Sequence, residues 1–379
     1  MSASDGPTSR PENDDPSLAD GYPPWIHFGP WITASTLLAP WRAPITKQLA
    51  AFDVVVSSGP GPIFAQFAGR PWAFYATGGD LTVKPFPLTF WRWYPSWPHR
   101  AAEVVAGGWQ RRALRRADQV WLQPFAPMVD AADRLRVPQS ARSDHYFPIV
   151  LDTDAYQPDA DPTPTARAYV DESVGDAELV IFHPSRLVTE ASDQLVRTGQ
   201  WKGNDTLIRG FAEFVKTNPH CAAVLVMPDT PLSRDVDGVR LMVEQLGISE
   251  HVRWLVPPGG RLFDRQFMHA LYQRSDVVAD EFGVGWFGYV TLEGLAMGKP
   301  VVGNIDQEVM GQLYPEHPIV AAATPAEVAD RLSDIAGDLE GTRTEASTRR
   351  QWVIDHHSAA AAAAVYKEAI VGLAAGAAT

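Results

Sequence analysis

The stretch Asp280-Glu281-Phe282-Gly283-Val284-Gly285-Trp286-Phe287-Gly288 leads through three residues into Leu292-Glu293-Gly294-Leu295-Ala296-Met297-Gly298-Lys299-Pro300. It reads as a strand end, a glycine-rich loop and a helix that begins where the glycines stop. Gly283, Gly285 and Gly288 let backbone N–H groups approach an anion, and a helix N-terminus adds partial positive charge. That chemistry suits a diphosphate. Glu293 falls just over a turn into the helix, placed to accept from sugar hydroxyls. The plainer reading is a tight strand–helix connection with a surface glutamate.

A second cluster is His183-Pro184-Ser185-Arg186-Leu187, followed by Lys202-Gly203-Asn204-Asp205. Arg186 comes right after a predicted strand and Lys202 just before a predicted helix. A forked guanidinium and a compact ammonium together clamp a diphosphate. As a sugar leaves, charge builds on the phosphate oxygens, and fixed cations there stabilise the transition state most. Alone, either cation reads as a solvated surface charge. Gly283, Gly285 and Gly288 also satisfy G-x-G-x-x-G, with Asp306 about twenty residues on, as dinucleotide sites require. The match opens no domain of its own, so a dinucleotide-dependent oxidoreductase stands only as a minor alternative. No metal-ligand spacing is present; His356 and His357 are neighbours and point to different helix faces.

The elements that must hold these residues alternate strand and helix. Asp53–Ser57, Pro71–Ala76 and Gln119–Gln123 read as strands, with helices at Ile63–Ala68 and Gln110–Arg116. After Leu151–Ala166, where Pro158, Pro162 and Pro164 mark a linker, the pattern restarts. Strands are expected at Leu179–His183, Ala222–Met227, Val252–Val256, Val277–Asp280 and Pro300–Gly303. Helices are expected at Thr206–Lys216, Val236–Leu246, Arg265–Arg274 and Tyr289–Met297. Short apolar runs alternating with helices imply mostly parallel sheets covered on both faces. Ligands in such sheets bind outside the carboxyl ends of the strands.

The chain has 379 residues, 45% hydrophobic and 20% charged, which suggests two globular domains. Residues 1–20 are acidic, polar and rich in Ser, Pro and Gly, a composition expected to stay disordered and lacking the marks of a signal peptide. One cysteine, Cys221, permits no intrachain disulfide and fits a reducing, cytoplasmic compartment. Cys221 reads as a core thiol. No span reaches about 18 uninterrupted apolar residues, the Ala-rich C-terminal stretch being broken by Lys367 and Glu368. A net charge of −13 argues against nucleic-acid binding.

The second half resembles the donor domain of retaining GT-B glycosyltransferases of the family-4 type, also called glycosyl transferases group 1. The resemblance rests on Ser185-Arg186-Leu187, Lys202-Gly203, the run from Leu292 to Val302 and His145–Pro158, and covers roughly residues 145–358. It implies an α/β GT-B fold, two facing Rossmann-like doubly wound domains with a cleft between them. It implies residues 21–160 as a shortened acceptor domain, 161–355 as the nucleotide-sugar donor domain, and 356–379 as a helix crossing back. It assigns Arg186 and Lys202 to the donor diphosphate and Glu293 to the nucleotide ribose, with a nucleotide-diphosphate sugar as substrate and no cofactor or metal. Relatives carry a second glutamate eight positions before Glu293; here that position is Gly285, leaving Asp280 or Glu281 as substitutes. Retention of anomeric configuration follows from the resemblance alone. A relative that binds the donor without turnover is the alternative.

In the first half, Phe52–Val56 through Thr77-Gly78-Gly79-Asp80-Leu81 resembles the family's acceptor-side strand and turn. Relatives carry a histidine in that turn, where Thr77 or Gly78 stands here, so Thr77, Gly78 and Gly79 are acceptor-side candidates. Asp80 is a catalytic candidate whose plainer reading is a helix cap. His27-Phe28-Gly29-Pro30 resembles the remnant of a glycine loop. Between Phe90 and Arg116, Trp91, Trp93, Trp97 and Trp109 interleave with Arg92, Arg100, Arg111, Arg112, Arg115 and Arg116, opposed only by Glu103. Aromatic rings among arginines favour an anionic membrane interface, which would suit a lipid-linked acceptor beside a glycan or small-molecule one. Peripheral contact at the inner face of the membrane is therefore expected. The plainer reading packs the tryptophans in the core.

Overall fold

The computed structural model describes residues 31–189, 191–230, 233, 235–258 and 262–376. The acidic segment 1–20 and the His27–Pro30 tetrapeptide lie outside the described residues. The chain forms two compact units, one running to Phe147 and resuming at Ala363, the other Pro148–Ala362.

Composition puts the division near residue 160, but the Pro-rich stretch belongs to the second unit. Gln273 Nε2 donates to Pro158 O at 3.0 Å, and Tyr156 OH donates to Glu293 Oε1 at 2.8 Å. Residues 356–362 stay with the second unit as well. Leu151 N donates to His357 O at 2.8 Å, and a β-bridge joins Leu151 to Ser358. Burial holds His357 down at about 4, so the neutral ring donates Nδ1–H to Ile149 O at 2.8 Å. His357 is thus part of the packing of this unit, while its neighbour His356 is exposed.

In the first unit, β1 (Val55–Ser57), β2 (Trp72–Tyr75) and β3 (Gln119–Trp121) form a parallel three-stranded sheet in that order. Val55, Trp72, Phe74, Val120 and Leu114 anchor its core. The arginine-rich helix extends over Trp97–Leu114, well beyond the Gln110–Arg116 that the sequence suggests. Its buried face is Gly107, Gln110, Ala113 and Leu114, too small and polar to register as an apolar stripe. Val365, Tyr366, Ala369 and Leu373 of the helix Ala359–Gly376 pack against Ala73, Trp121 and Phe147. Among the described residues this is the one helix long and apolar enough to cross a membrane, with mean hydropathy 1.3, Lys367 and Glu368 notwithstanding.

In the second unit, β4 (Leu179–Phe182), β5 (Ala223–Pro228), β6 (Val252–Leu255), β7 (Val277–Ala279), β8 (Val301–Gly303) and β9 (Val320–Ala321) form one parallel sheet. Its order is β6-β5-β4-β7-β8-β9, the doubly wound Rossmann arrangement, with the chain reversing direction of travel between β4 and β7. Leu179 and Ile181 face one helical layer, where Phe211 and Leu332 sit. Phe182, of opposite parity, meets the Tyr272 ring on the other face at 5.4 Å. The helices Asn204–Thr217 and Pro325–Gly337 approach closely at Gly210, where a Cβ would stand 2.5 Å from Val328 Cβ and 2.6 Å from Pro325 O.

Gly210→Ala is therefore expected to destabilise the protein by about 1–3 kcal/mol through overpacking. Gly337→Ala, with nothing within 4 Å of its new Cβ, leaves melting unchanged or slightly higher. Equal melting temperatures for the two variants would contradict this packing.

Candidate active site

The crevice that opens where a doubly wound sheet reverses lies at the carboxyl ends of its two central strands, here β4 and β7. β4 runs into His183, Ser185 and Arg186; β7 runs into Asp280, Glu281 and the glycine loop. Asn204 opens the helix that follows Lys202 and Gly203. The sequence candidates of the second half therefore converge on one end of one sheet.

His183 is fully buried at the exit of β4. Its Nδ1 lies 2.7 Å from Ala279 O and its Nε2 2.7 Å from Asn204 Nδ2. A carbonyl only accepts and an amide nitrogen only donates, so the ring is neutral with its proton on Nδ1. Burial lowers its pKa in keeping with that. Asn204 Oδ1 accepts from Val188 N at 2.7 Å, fixing the segment that carries Arg186. Arg186 Nη2 donates to Gln200 Oε1 at 2.8 Å. Burial lowers the guanidinium's pKa while the Glu281 charge raises it.

Asp280 does not stand free for a sugar. Its Oδ1 accepts from Ser185 Oγ at 2.7 Å, and its Oδ2 accepts from Thr291 N at 3.0 Å and Thr291 Oγ1 at 2.6 Å. The carboxylate thus caps the first turn of the helix Tyr289–Ala296, which no side chain at its own N-cap position serves. Glu281 is also engaged: Oε1 accepts from Gly283 N at 3.0 Å and Oε2 pairs with the Lys202 ammonium. Burial, first, and then Asp280 raise the pKa of Glu281 against the pull of Lys202. Both acids are thus engaged, and position 285 itself carries no side chain.

At Gly285 the backbone has φ +72°, a left-handed conformation that strains any L side chain. Gly283 is needed for space, since a Cβ would meet Trp201 O at 2.3 Å. Gly288 caps the helix with extended backbone and open space around it. Asp306 caps its own helix by accepting from Glu308 N at 3.0 Å and Val309 N at 3.2 Å. Both bonds fall on Oδ1 of an exposed carboxylate, so the residue that the dinucleotide reading assigns to a ribose serves here as a helix cap.

Glu293 is held by two tyrosines that sequence reasoning missed. Tyr156 OH donates to Oε1 at 2.8 Å and Tyr272 OH to Oε2 at 2.7 Å. Burial raises the carboxyl's pKa and the two hydroxyls oppose the rise. Each oxygen keeps a further lone pair. Tyr156 and Glu293 are 137 residues apart, so no local pattern could have paired them.

In the first unit, Asp80 is a latch. Its oxygens accept from Gly59 N at 3.0 Å, Thr77 N at 3.0 Å, Thr77 Oγ1 at 3.1 Å and Gly78 N at 3.0 Å. It ties the loops that leave β1 and β2, and Gln110 Nε2 adds bonds to Gly59 O and Asp80 O. Gly78, at φ +131°, makes the turn possible, and Gly79 starts the short helix Gly79–Thr82. Among the described residues no cluster of three or more His, Cys, Asp or Glu could hold a metal ion.

No family model matches the chain. A D-inositol 3-phosphate glycosyltransferase of Saccharomonospora viridis is 32% identical over 129 residues, which is 31% of this chain and 29% of that protein. The protein of that name from Corynebacterium jeikeium is 29% identical over 154 residues, 38% of this chain and 34% of its own length. The matches thus span about a third of these relatives. Among solved structures, Anabaena HepE in complex with UDP-glucose superposes with a TM-score of 0.60 at 18% identity, covering 90% of this chain and 84% of that one. Sucrose-phosphate synthase from Thermosynechococcus elongatus gives 0.57 at 14% identity, covering 93% and 82%. The fold is GT-B.

Tyr272→Phe keeps the shape of a buried ring and removes one donor from Glu293, so the carboxyl's pKa in the folded state rises further. A raised carboxyl pKa stabilises at low pH and loses that contribution as pH rises through the folded value. The variant is expected to lose about 1–3 kcal/mol at neutral pH and less on acidification towards the ordinary glutamate range. Equal losses in thermal melts at neutral and acid pH would refute the coupling.

Proposed function

We propose that this chain is a glycosyltransferase that moves a sugar from a nucleotide-diphosphate sugar to a hydroxyl of a glycan, lipid-linked or small-molecule acceptor, with retention. The observation that carries the reading is the meeting of Arg186, Lys202 and the glycine loop at the carboxyl ends of β4 and β7. In the reaction the bond from the anomeric carbon to the β-phosphate oxygen breaks and its electron pair stays on that oxygen. The acceptor oxygen bonds the same carbon, and its proton passes to the departing phosphate oxygen. Arg186 and Lys202 meet the charge that develops on the leaving diphosphate, where fixed cations contribute most. Glu293, held by Tyr156 and Tyr272, offers its remaining lone pairs to the nucleotide ribose. Relatives named glycosyltransferase and a fold shared with a UDP-glucose complex support the same reading.

A second reading has one observation in its favour. Asp280 and Glu281 are both committed to internal partners, and Gly285 offers no side chain to a sugar. A protein that binds the donor without turning it over would look the same at these positions. Donor hydrolysis without acceptor separates the two.

UDP, GDP, ADP and dTDP and their sugars are the ligands to test by thermal shift. One of them is expected to stabilise the protein, by about 2.7 kcal/mol at a hundredfold excess over its dissociation constant. Arg186→Ala and Lys202→Ala should each abolish that shift and lower turnover about 10²–10³-fold. Indifference of the wild type to all of them would sink the donor site.

For the acceptor side, the proposal is peripheral contact with an anionic membrane through the tryptophan–arginine segment, in the cytoplasm at its inner face. Leu88 and Trp97 are 70% and 68% exposed, and Trp91 packs edge-on against Trp97 at 5.6 Å. Arg100 stacks over the Trp91 ring at 5.2 Å, and Arg112 over the Trp109 ring at 5.4 Å. Arg111 donates to Pro85 O, close in sequence to Leu88, whereas Arg115 donates to Leu135 O at 2.8 Å at the far end of the helix that Trp97 begins. Trp93 packs on Phe90 at 4.5 Å and is a support rather than a probe of the surface. The protein should float with vesicles containing phosphatidylglycerol and not with pure phosphatidylcholine, and Leu88→Ser with Trp97→Ser should release it. Equal flotation with both vesicle types would remove the arginines from the argument.

A further inference from the structure

The carboxylate of Glu281, 7% exposed, accepts from a loop amide, Gly283 N at 3.0 Å, and pairs with an ammonium, Lys202. Those are the two kinds of donor that a diphosphate needs from this site. Glu281 thus stands where an anion's partners already converge, and it neutralises the cation that the leaving group would use.

Resting on the donor-site reading above, we infer that Glu281 is an internal counter-anion that holds Lys202 in the free protein and takes up a proton when a nucleoside diphosphate claims that lysine. A second anion brought to Lys202 confronts a buried carboxylate that has lost its partner. Two such negative groups cannot both stay charged at contact in a desolvated site, and the carboxylate can be neutralised by one proton from solvent. Burial already favours the protonated form of Glu281, and Lys202 is the main group opposing it. Of the charged and titratable groups around it, Asp280 adds to the repulsion and Arg186 offsets part of it. His183 is not the proton acceptor, because both of its ring nitrogens are already bonded to Ala279 O and Asn204 Nδ2. Glu281 in this scheme is a positioning residue: it acts through Lys202 and sets the affinity and pH dependence of donor binding.

The test is calorimetric titration of the full chain with UDP, GDP, ADP and dTDP. Buffers of different ionisation enthalpy are used, at mildly alkaline pH where the terminal phosphate is ionised. The diphosphate that binds should draw a fraction of a proton from the buffer into the wild type. Glu281→Gln keeps an oxygen for Gly283 N but cannot titrate; it should take up none and bind more tightly. The gain is about tenfold for each unit by which binding raises the carboxyl's pKa, and it should shrink as pH falls. Binding to wild type with no proton uptake overturns the inference even if the variant cannot be prepared. The same proton count in wild type and Glu281→Gln overturns it too. Absence of binding by every diphosphate would instead strike the donor-site reading, and this inference with it.

Discussion

A parallel sheet that reverses its winding leaves a gap between two strand ends, and something must hold the two lips of that gap in register. In the second unit the Asp280 carboxylate does so. It reaches from the end of β7 to Ser185 on the β4 side and to Thr291 inside the following helix. Arg186 is the next residue after Ser185, and Glu293 lies two residues beyond Thr291. One buried acid therefore sets the spacing of the cation and the ribose-side carboxylate that the proposed chemistry needs. It also supplies negative charge at a helix N-terminus, where the macrodipole rewards it.

The first unit uses the same device. Asp80 gathers amides from the exits of β1 and β2, as Asp280 gathers donors from β4 and the helix after β7. Burial pushes the Asp80 carboxyl up, and its backbone donors pull it back. In both places an acid that sequence reading offers to catalysis or to sugar accepts hydrogen bonds from the scaffold. What the proposed donor would meet is chiefly positive and backbone-borne: Arg186, Lys202 once Glu281 gives it up, and the amides of the glycine loop. That composition suits a reaction whose difficulty is departing phosphate charge, with no protein nucleophile needed.

The strands were legible because buried parallel strands are short continuous apolar runs, and Val180, Val224, Val252, Val278 and Val302 all lie in such runs. β9 was not, since it is two half-buried residues, Val320 and Ala321. The helix Trp97–Leu114 was cut short because small and polar residues, Gly107, Gln110 and Ala113, form its buried face. At the site, residue types and strand-end positions were readable, and partnerships were not. Ser185 finds Asp280 across 95 residues and Lys202 finds Glu281 across 79. Such pairs are products of topology. Lys202 and Glu281 sit on segments that flank neighbouring strands, and once strand order is known the pairing follows.

The meeting of Leu151 with Ser358 makes the second unit a closed insertion: its chain enters and leaves at one place. A ribosome delivers the sheet β1–β2–β3 first, but the stripe that covers Trp121 and Phe147 is translated only after the entire second unit. Domains tend to fold as units while synthesis proceeds. Here the later unit can complete itself before the earlier one does, and the earlier one waits with an aromatic face uncovered. Until residues 365–373 emerge, Trp121 and Phe147 lack the stripe of Val365, Tyr366, Ala369 and Leu373 that packs on them in the folded chain.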